Sequence, residues 1–212
     1  MNCLQKETDK KNCEFNNLVK TTREVVSNNE RITLNVLIRL GIHEKNILHQ
    51  LKHQQVSKVN DFEWQQYIRH YWEKDHCELR CFMSSMPYCE EYIGCKENLA
   101  ITPLTDKAYM NLMNAFKVGM GASHLGPAGT GKTETMKDLA RMAGQFLVII
   151  NTSDQLDYKV NEKILKGTAA SGVWCCYDEF NRICVEVVSA FAEQFKMIRE
   201  AREKRVCMLG GE

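Results

Sequence analysis

Residues 126–133 read GPAGTGKT, and this stretch decides the fold of the chain. It matches the pattern G-x-x-x-x-G-K-[S/T] at every fixed position. Glycines in such a loop let the backbone turn with its N–H groups pointing inward toward a phosphate. A helix that starts directly after the loop presents its positive end to the same anion. The pattern therefore predicts a phosphate-binding loop.

The loop residues have predicted roles in nucleotide binding. Lys132 is expected to reach the β- and γ-phosphates, and the Thr133 hydroxyl is expected to ligate Mg²⁺. The predicted cofactor-binding residues of the loop are Gly126, Pro127, Ala128, Gly129, Thr130, Gly131, Lys132 and Thr133. Residues 122–125 (ASHL) are predicted to form the strand that enters the loop. Helical spacing of Met136, Leu139, Ala140 and Ala143 predicts a helix after it, with Gly144 as its stop.

Two apolar runs downstream predict buried parallel strands, at residues 146–150 (FLVII) and 173–177 (VWCCY). The second run ends in Asp178 and Glu179. Asp178 is expected to hold the Mg²⁺ shell, usually through water, and Glu179 to polarise the attacking water. An apolar strand that ends in two acids is a weak signal alone. It is a strong one after a complete phosphate loop in an alternating β/α pattern, and it predicts the catalytic pair Lys132 and Glu179.

Weaker patterns cover the rest of the chain. Residues 1–28 are polar and read as a loose terminus or part of a helix. The other predicted elements are a helix from Arg31 to Gly41 that resumes at Ile47, a helix at 61–72 (DFEWQQYIRHYW), a strand at 78–83, a helix capped by Thr105 or Asp106 that runs to about Val118, a short helix at 159–165, a turn at 167–172, a helix at 184–204 with an apolar stripe of Val188, Phe191, Ala192 and Phe195, and a short strand at 206–209.

Composition narrows the function classes. The net charge is +1, so no global field favours nucleic acid or membrane partners. No apolar run is long enough to span a bilayer, and the polar N-terminus lacks a signal-peptide core. The ten cysteines include no C-x-x-C pair, and the spacings of Cys77, Cys81, Cys89 and Cys95 fit no common zinc module. We therefore expect reduced thiols and a cytoplasmic protein.

Four segments, in this order, resemble the first AAA+ module of dynein heavy chains: ITPLTDKAY, GPAGTGKTETMKDLA, NTSDQLDY and CCYDEFNRI. The preceding DFEWQQYIRHYW and EEYIG resemble the end of the dynein linker. Met136, Tyr177 and Cys89 stand where the family favours Thr, Phe and Gly, which suggests an axonemal-type member.

The resemblance implies an α/β fold: an incomplete P-loop NTPase (AAA+) three-layer sandwich with strand order 5-1-4-3-2, preceded by a mainly α-helical linker segment. It implies a boundary near Leu99, with linker at 1–98 and the first AAA+ module at 99–212. It assigns Ile101 and Pro103 to the adenine, ATP and Mg²⁺ as cofactors, and Thr133 and Asp178 as metal ligands. Implied partners are microtubules and dynein intermediate, light-intermediate and light chains, in the cytoplasm and the cytoskeleton of the ciliary axoneme.

Two other hypotheses stay open at this point. The sensor strand, lid and arginine finger of the family have no match in the 212 residues, so we expect weak nucleotide binding and turnover near background. In this hypothesis the chain is a truncated, non-catalytic fragment that acts only through binding to partners. A different P-loop enzyme is the remaining alternative: the N-K-x-D motif of GTPases is absent, and a DExD-type helicase is not excluded by D-E alone.

Overall fold

The computed structural model describes residues 2–24, 27–94, 99–152 and 158–204. The chain divides into two compact units between Gly144 and Gln145, each with its own contacts. The predicted boundary near Leu99, between linker and AAA+ module, stays a prediction. The strand predicted at 206–209 lies outside the described residues.

The first unit begins with two helices, α1 (Asn2–Thr21) and α2 (Asn28–His53). Helix α2 starts at a capping box, in which the Ser27 amide donates to the Glu30 carboxylate at 2.7 Å and the Ser27 hydroxyl accepts from the Glu30 amide at 3.4 Å. The predicted interruption at Gly41 is wrong, because α2 continues through it. A Cβ at Gly41 would lie 3.2 Å from the Phe15 ring, so this glycine lets α1 pack closely on α2.

The helix predicted at 61–72 is also wrong over most of its length. Only α3 (Phe62–Gln65) is helical, and β1 (Arg69–Glu73) follows it. Strand β1 pairs antiparallel with β2 (His76–Cys81), which pairs antiparallel with β3 (Ser84–Pro87), so the strand predicted at 78–83 is confirmed within two residues. The turn between β1 and β2 is Lys74–Asp75, both left-handed, which is the geometry of a tight hairpin. The aromatic residues of this segment favour a strand, because the turn brings β2 alongside β1 as a hydrogen-bonding partner.

Two further helices complete the first unit. Helix α4 (Pro103–Val118) is capped by Thr102 rather than by the predicted Thr105 or Asp106, because Pro103 is pre-organised for the first helical position. Helix α5 (Lys132–Met142) follows the glycine loop, as predicted, and the chain leaves it at Gly144 with φ +60°.

No strand forms at residues 122–125, so that prediction is wrong. Leu125 is 94% exposed. A strand requires a partner for its backbone N–H and C=O groups. Within the described part of the first unit the strands are β1, β2 and β3, which pair with one another and not with this segment.

The second unit is an α/β arrangement, as predicted for the fold class. Strands β4 (Leu147–Asn151) and β5 (Trp174–Asp178) pair in parallel and confirm the two predicted strands within one residue, although their side chains are half-buried rather than fully buried. Helix α6 (Tyr158–Ser171) lies between them in the chain and α7 (Val185–Lys204) follows. The turn predicted at 167–172 is wrong, because α6 continues to Ser171 and the left-handed residue is Gly172.

The buried face of α7 differs from the predicted stripe. Phe191 is buried, but Phe195 is 45% exposed and Ala192 is exposed. Gln194 is buried instead, because its side-chain oxygen accepts a hydrogen bond at 2.7 Å from Asn161 of α6. A polar contact therefore sets the rotation of α7 that apolar periodicity alone did not predict.

Candidate nucleotide-binding site

Two glycines give the loop at 126–133 its shape. Gly129 has φ +75° and Gly131 has φ +77°, in the left-handed region that glycine adopts without strain. Gly131 is the cap residue of α5, whose first residue is Lys132. The Thr130 hydroxyl donates to the Pro127 carbonyl at 3.0 Å and holds the turn closed. The loop therefore ends at the positive N-terminus of a helix.

The Lys132 ammonium folds back over its own loop. Its Nζ donates to the carbonyl oxygens of Gly126 at 3.0 Å and Pro127 at 2.6 Å. The positive charge is therefore held against the first two residues of the loop. Thr133 is half-buried in the first turn of α5.

A buried carboxylate ties α5 to the segment that precedes α4. Asp138 accepts hydrogen bonds from the Tyr109 hydroxyl at 2.9 Å and from the Leu99 amide at 3.4 Å, and it pairs with Arg141. Burial and the charge of Asp138 raise the pKa of Tyr109 well above its usual range. The segment with Ile101 and Pro103 is thereby anchored to the helix that begins at the loop.

The predicted acidic pair lies in the second unit, at the end of β5. The Asp178 carbonyl accepts from the Thr152 amide at 3.0 Å and from the Thr152 hydroxyl at 2.6 Å. Glu179 has φ +54°, an uncommon conformation for a side chain of its size, and its amide donates to the Asp178 carboxylate at 2.9 Å. The Glu179 carboxylate forms an ion pair with Arg182 at 2.6 Å. Both carboxylates thus lie on a tightly ordered strand-to-helix turn.

Behind this turn lies a chain of polar side chains that runs from half-buried Tyr177 to buried Asn161 and Gln194. The Tyr177 hydroxyl donates to Asn161 at 2.7 Å, and Asn161 donates to Gln194. The Tyr177 ring packs edge-on against Phe191, with 5.3 Å between ring centroids, and burial raises the pKa of its hydroxyl. Strand β5 is therefore joined to α6 and α7 one residue before Asp178.

The structure brings some predicted site residues together. The loop residues, Ile101 and Pro103 share the first unit and are linked through Asp138, whereas Asp178 and Glu179 share the second. The predictions missed Asp138, Thr152 and Arg182. Asp138 could have been found as a charged residue between the apolar positions of α5. Arg182 could have been found because it lies three residues after Glu179, a spacing that favours an ion pair. Thr152 had no such signal.

The oxygen donors fit the cation that was predicted. A threonine hydroxyl and an aspartate carboxylate are ligands that Mg²⁺ accepts, usually together with water and substrate phosphates. Over the described ranges, no group of three or more His, Cys, Asp or Glu side chains has the arrangement of a protein-only metal site. None of the helices described there is long and apolar enough to cross a membrane.

A glycine loop that opens a helix is followed in the chain by a parallel strand pair, and the second of these strands leads into Asp178 and Glu179. Together these features define a P-loop protein of the α/β class. A family model described as the hydrolytic ATP binding site of the dynein motor region matches residues 88–210. Dynein axonemal heavy chain 3 of Mus musculus is 41% identical over 91% of this chain and 5% of its own length. Dynein axonemal heavy chain 6 of Homo sapiens is 44% identical over 83% of this chain and 4% of its own length.

The chain belongs to the dynein heavy chain family, in the region that carries the hydrolytic ATP binding site. It spans about a twentieth of the length of these curated relatives, with 5% for the mouse protein. The resemblance inferred from the loop and the D-E-F-N-R segment is confirmed at the level of the family.

Proposed function

We propose that this chain binds Mg-ATP and belongs to a motor that uses ATP hydrolysis for minus-end-directed movement along microtubules in cilia. The observation that carries the proposal is the loop at 126–133, with two left-handed glycines and Lys132 at the first position of α5. The match to the hydrolytic ATP binding site of the dynein motor region supports ATP as the nucleotide. The names of the axonemal relatives support the ciliary location.

In this proposal the loop amides and Lys132 bind the phosphates, and Ile101 and Pro103 contact the adenine. The hydroxyl of Thr133 and the carboxylate of Asp178 hold Mg²⁺, which neutralises phosphate charge when it is bound. The Glu179 carboxylate accepts a proton from the attacking water. That role requires Glu179 to leave Arg182, with which it is paired.

The proposal extends to domains and partners. Residues 1–98 would be the end of a linker and 99–212 the start of the first AAA+ module. Microtubules and dynein intermediate, light-intermediate and light chains would be the partners, without nucleic acid or membrane. The location would be the cytoplasm and the axonemal cytoskeleton.

Replacement of Lys132 tests the nucleotide site. The Lys132→Ala variant should lose roughly 1.5–3 kcal/mol of ATP binding free energy, since a charge-assisted phosphate contact is removed. Titration with a fluorescent ATP analogue in Mg²⁺ measures this. The matched control is Lys137→Ala on the same helix, because Lys137 is exposed and pairs with Glu134. Equal affinities of parent and Lys132→Ala would refute the proposed site.

A further inference from the structure

A cavity of about 230 Å³ lies between residues 101–103 and helix α2 of the first unit. Ile101, Thr102, Pro103 and Asp106 line it from one segment, and α2 contributes His43, Asn46, Ile47, His49 and Gln50. A second cavity of about 380 Å³ shares His49, Gln50, Pro103 and Asp106 with the first. Helix α2 therefore faces the two residues that are proposed to contact a base.

The lining of this cavity suits a flat heteroaromatic ring. The apolar lining residues are Ile47 of α2 and Ile101 and Pro103 of the segment that leads into α4. The polar lining residues are His43, Asn46, His49, Gln50, Thr102 and Asp106, and the Gln50 side-chain oxygen already accepts a hydrogen bond from the Tyr67 hydroxyl at 2.5 Å. Small-molecule sites commonly combine an apolar lining with a few polar groups that fix the orientation of the ligand.

Asp106 provides the polar anchor of the cavity. Its side chain is half-buried and makes no hydrogen bond or ion pair with the residues described in the structure. Burial raises the pKa of this carboxyl to about 6. A carboxylate that lines a cavity without a partner can accept a hydrogen bond from an amino group of a ligand.

The segment that lines the cavity is also hydrogen-bonded to the helix that follows the phosphate loop. The Leu99 amide, two residues before Ile101, donates to Asp138 of α5. Asp138 lies six residues after the start of α5, which corresponds to about 9 Å along a helix axis. Burial lowers the pKa of the His43 imidazole on α2, and the charges of Glu44 and Asp138 oppose this effect.

We propose that helix α2 forms the outer wall of the base-binding part of the nucleotide site. Ile47 packs on the ring of adenine, and the Asp106 carboxylate accepts a hydrogen bond from its amino group. The inference rests on the proposed contact of Ile101 and Pro103 with adenine. It adds α2, from a segment outside the phosphate-binding region, to the residues that select the nucleotide.

Substitution in the wall tests this with two ligands, Mg-ATP and inorganic tripolyphosphate with Mg²⁺. In the 212-residue chain, Ile47→Trp should fill the cavity and weaken ATP binding at least about tenfold, while tripolyphosphate binding stays at the parental level. Ile32→Trp is the matched control, because Ile32 lies on α2, is exposed and lines neither cavity. It should change neither affinity. ATP affinity of Ile47→Trp that equals or exceeds the parental value would overturn the proposal.

A second variant keeps the test decisive if Ile47→Trp does not fold. The parent should prefer ATP over purine riboside triphosphate, which lacks the amino group, and Asp106→Ala should bind the two equally. A parental preference retained by Asp106→Ala would overturn the inference. Failure of the proposed function looks different, because the parent and Lys132→Ala would then bind tripolyphosphate equally.

Discussion

The buried carboxylate of Asp138 should be the most sensitive point of the first unit. It is 4% exposed and serves Tyr109, Leu99 and Arg141 at once. The Asp138→Ala variant leaves the buried Tyr109 hydroxyl and the Arg141 guanidinium without this acceptor. Removal of one partner from a buried charged network costs about 3–5 kcal/mol, so we expect a loss of that size in the free energy of unfolding.

The Asp138→Asn variant separates charge from shape. Its amide oxygen can still accept from Tyr109, but the charge assistance to the hydrogen bonds is lost. Hydrogen bonds to charged groups exceed neutral ones by about 1–1.5 kcal/mol, so the expected loss is about 1–2 kcal/mol. The order of stability should be parent, then Asp138→Asn, then Asp138→Ala.

Urea denaturation followed by circular dichroism measures these differences. Glu134→Ala is the control on the same helix, because the pair of Glu134 with Lys137 is exposed and such pairs contribute about 0–1 kcal/mol. ATP titration of Asp138→Asn should also show weakened binding, since the anchor of the segment before α4 is loosened. An Asp138→Ala variant as stable as Glu134→Ala would refute this account of the network.

Three further outcomes are expected. Gly144→Ala should lose about 2–4 kcal/mol of unfolding free energy in urea denaturation, because the alanine would be left-handed and its Cβ would lie 2.5 Å from the Tyr88 ring. Gly94→Ala is the control: it is also left-handed but has no atom near its Cβ, so it should lose only about 1–2 kcal/mol. Equal losses in the two variants would contradict the clash with Tyr88. Since the folded-state pKa of Asp106 is raised from 3.8 to about 6, folding favours its protonated form, so stability should fall as pH rises from about 4 to 6, and Asp106→Asn should remove this fall. Glu179→Gln, in a chain that hydrolyses ATP, should keep ATP binding and stop turnover; parental turnover measured by phosphate release would exclude it as the base.

Local patterns predicted the elements whose signals are local. Helix α5 was predicted because a complete motif and apolar spacing agree over residues 126–144, and β4 and β5 because short apolar runs have few alternatives in a β/α pattern. The error at 61–72 arose because Lys74–Asp75 is not among the common hairpin dipeptides, so the strand partner was not visible. The error at 122–125 shows that an apolar tendency does not make a strand without a paired neighbour.

Within the site, contacts between residues that are distant in sequence could not be predicted from the sequence. The loop residues follow from a motif, but the hydrogen bond from the Thr152 hydroxyl to the Asp178 carbonyl joins the ends of two strands. The Leu99–Asp138 contact joins residues of different elements in the same way. Neither contact leaves a periodic trace, because each depends on how packed elements meet.

The hydrogen-bonded chain through Tyr177, Asn161 and Gln194 has a consequence for strand alignment. A parallel pair of two half-buried strands distinguishes poorly between alternative registers, because apolar side chains on either face can exchange places. A slip of one residue in β5 would carry the Tyr177 hydroxyl to the opposite face and leave Asn161 without its donor in a fully buried position. An unpaired buried amide costs about 1–3 kcal/mol, so the hydrogen bond from Tyr177 to Asn161 favours one register of β5 on β4 where apolar burial does not. That alignment is the one that sets Asp178 opposite Asn151, at the end of the neighbouring strand.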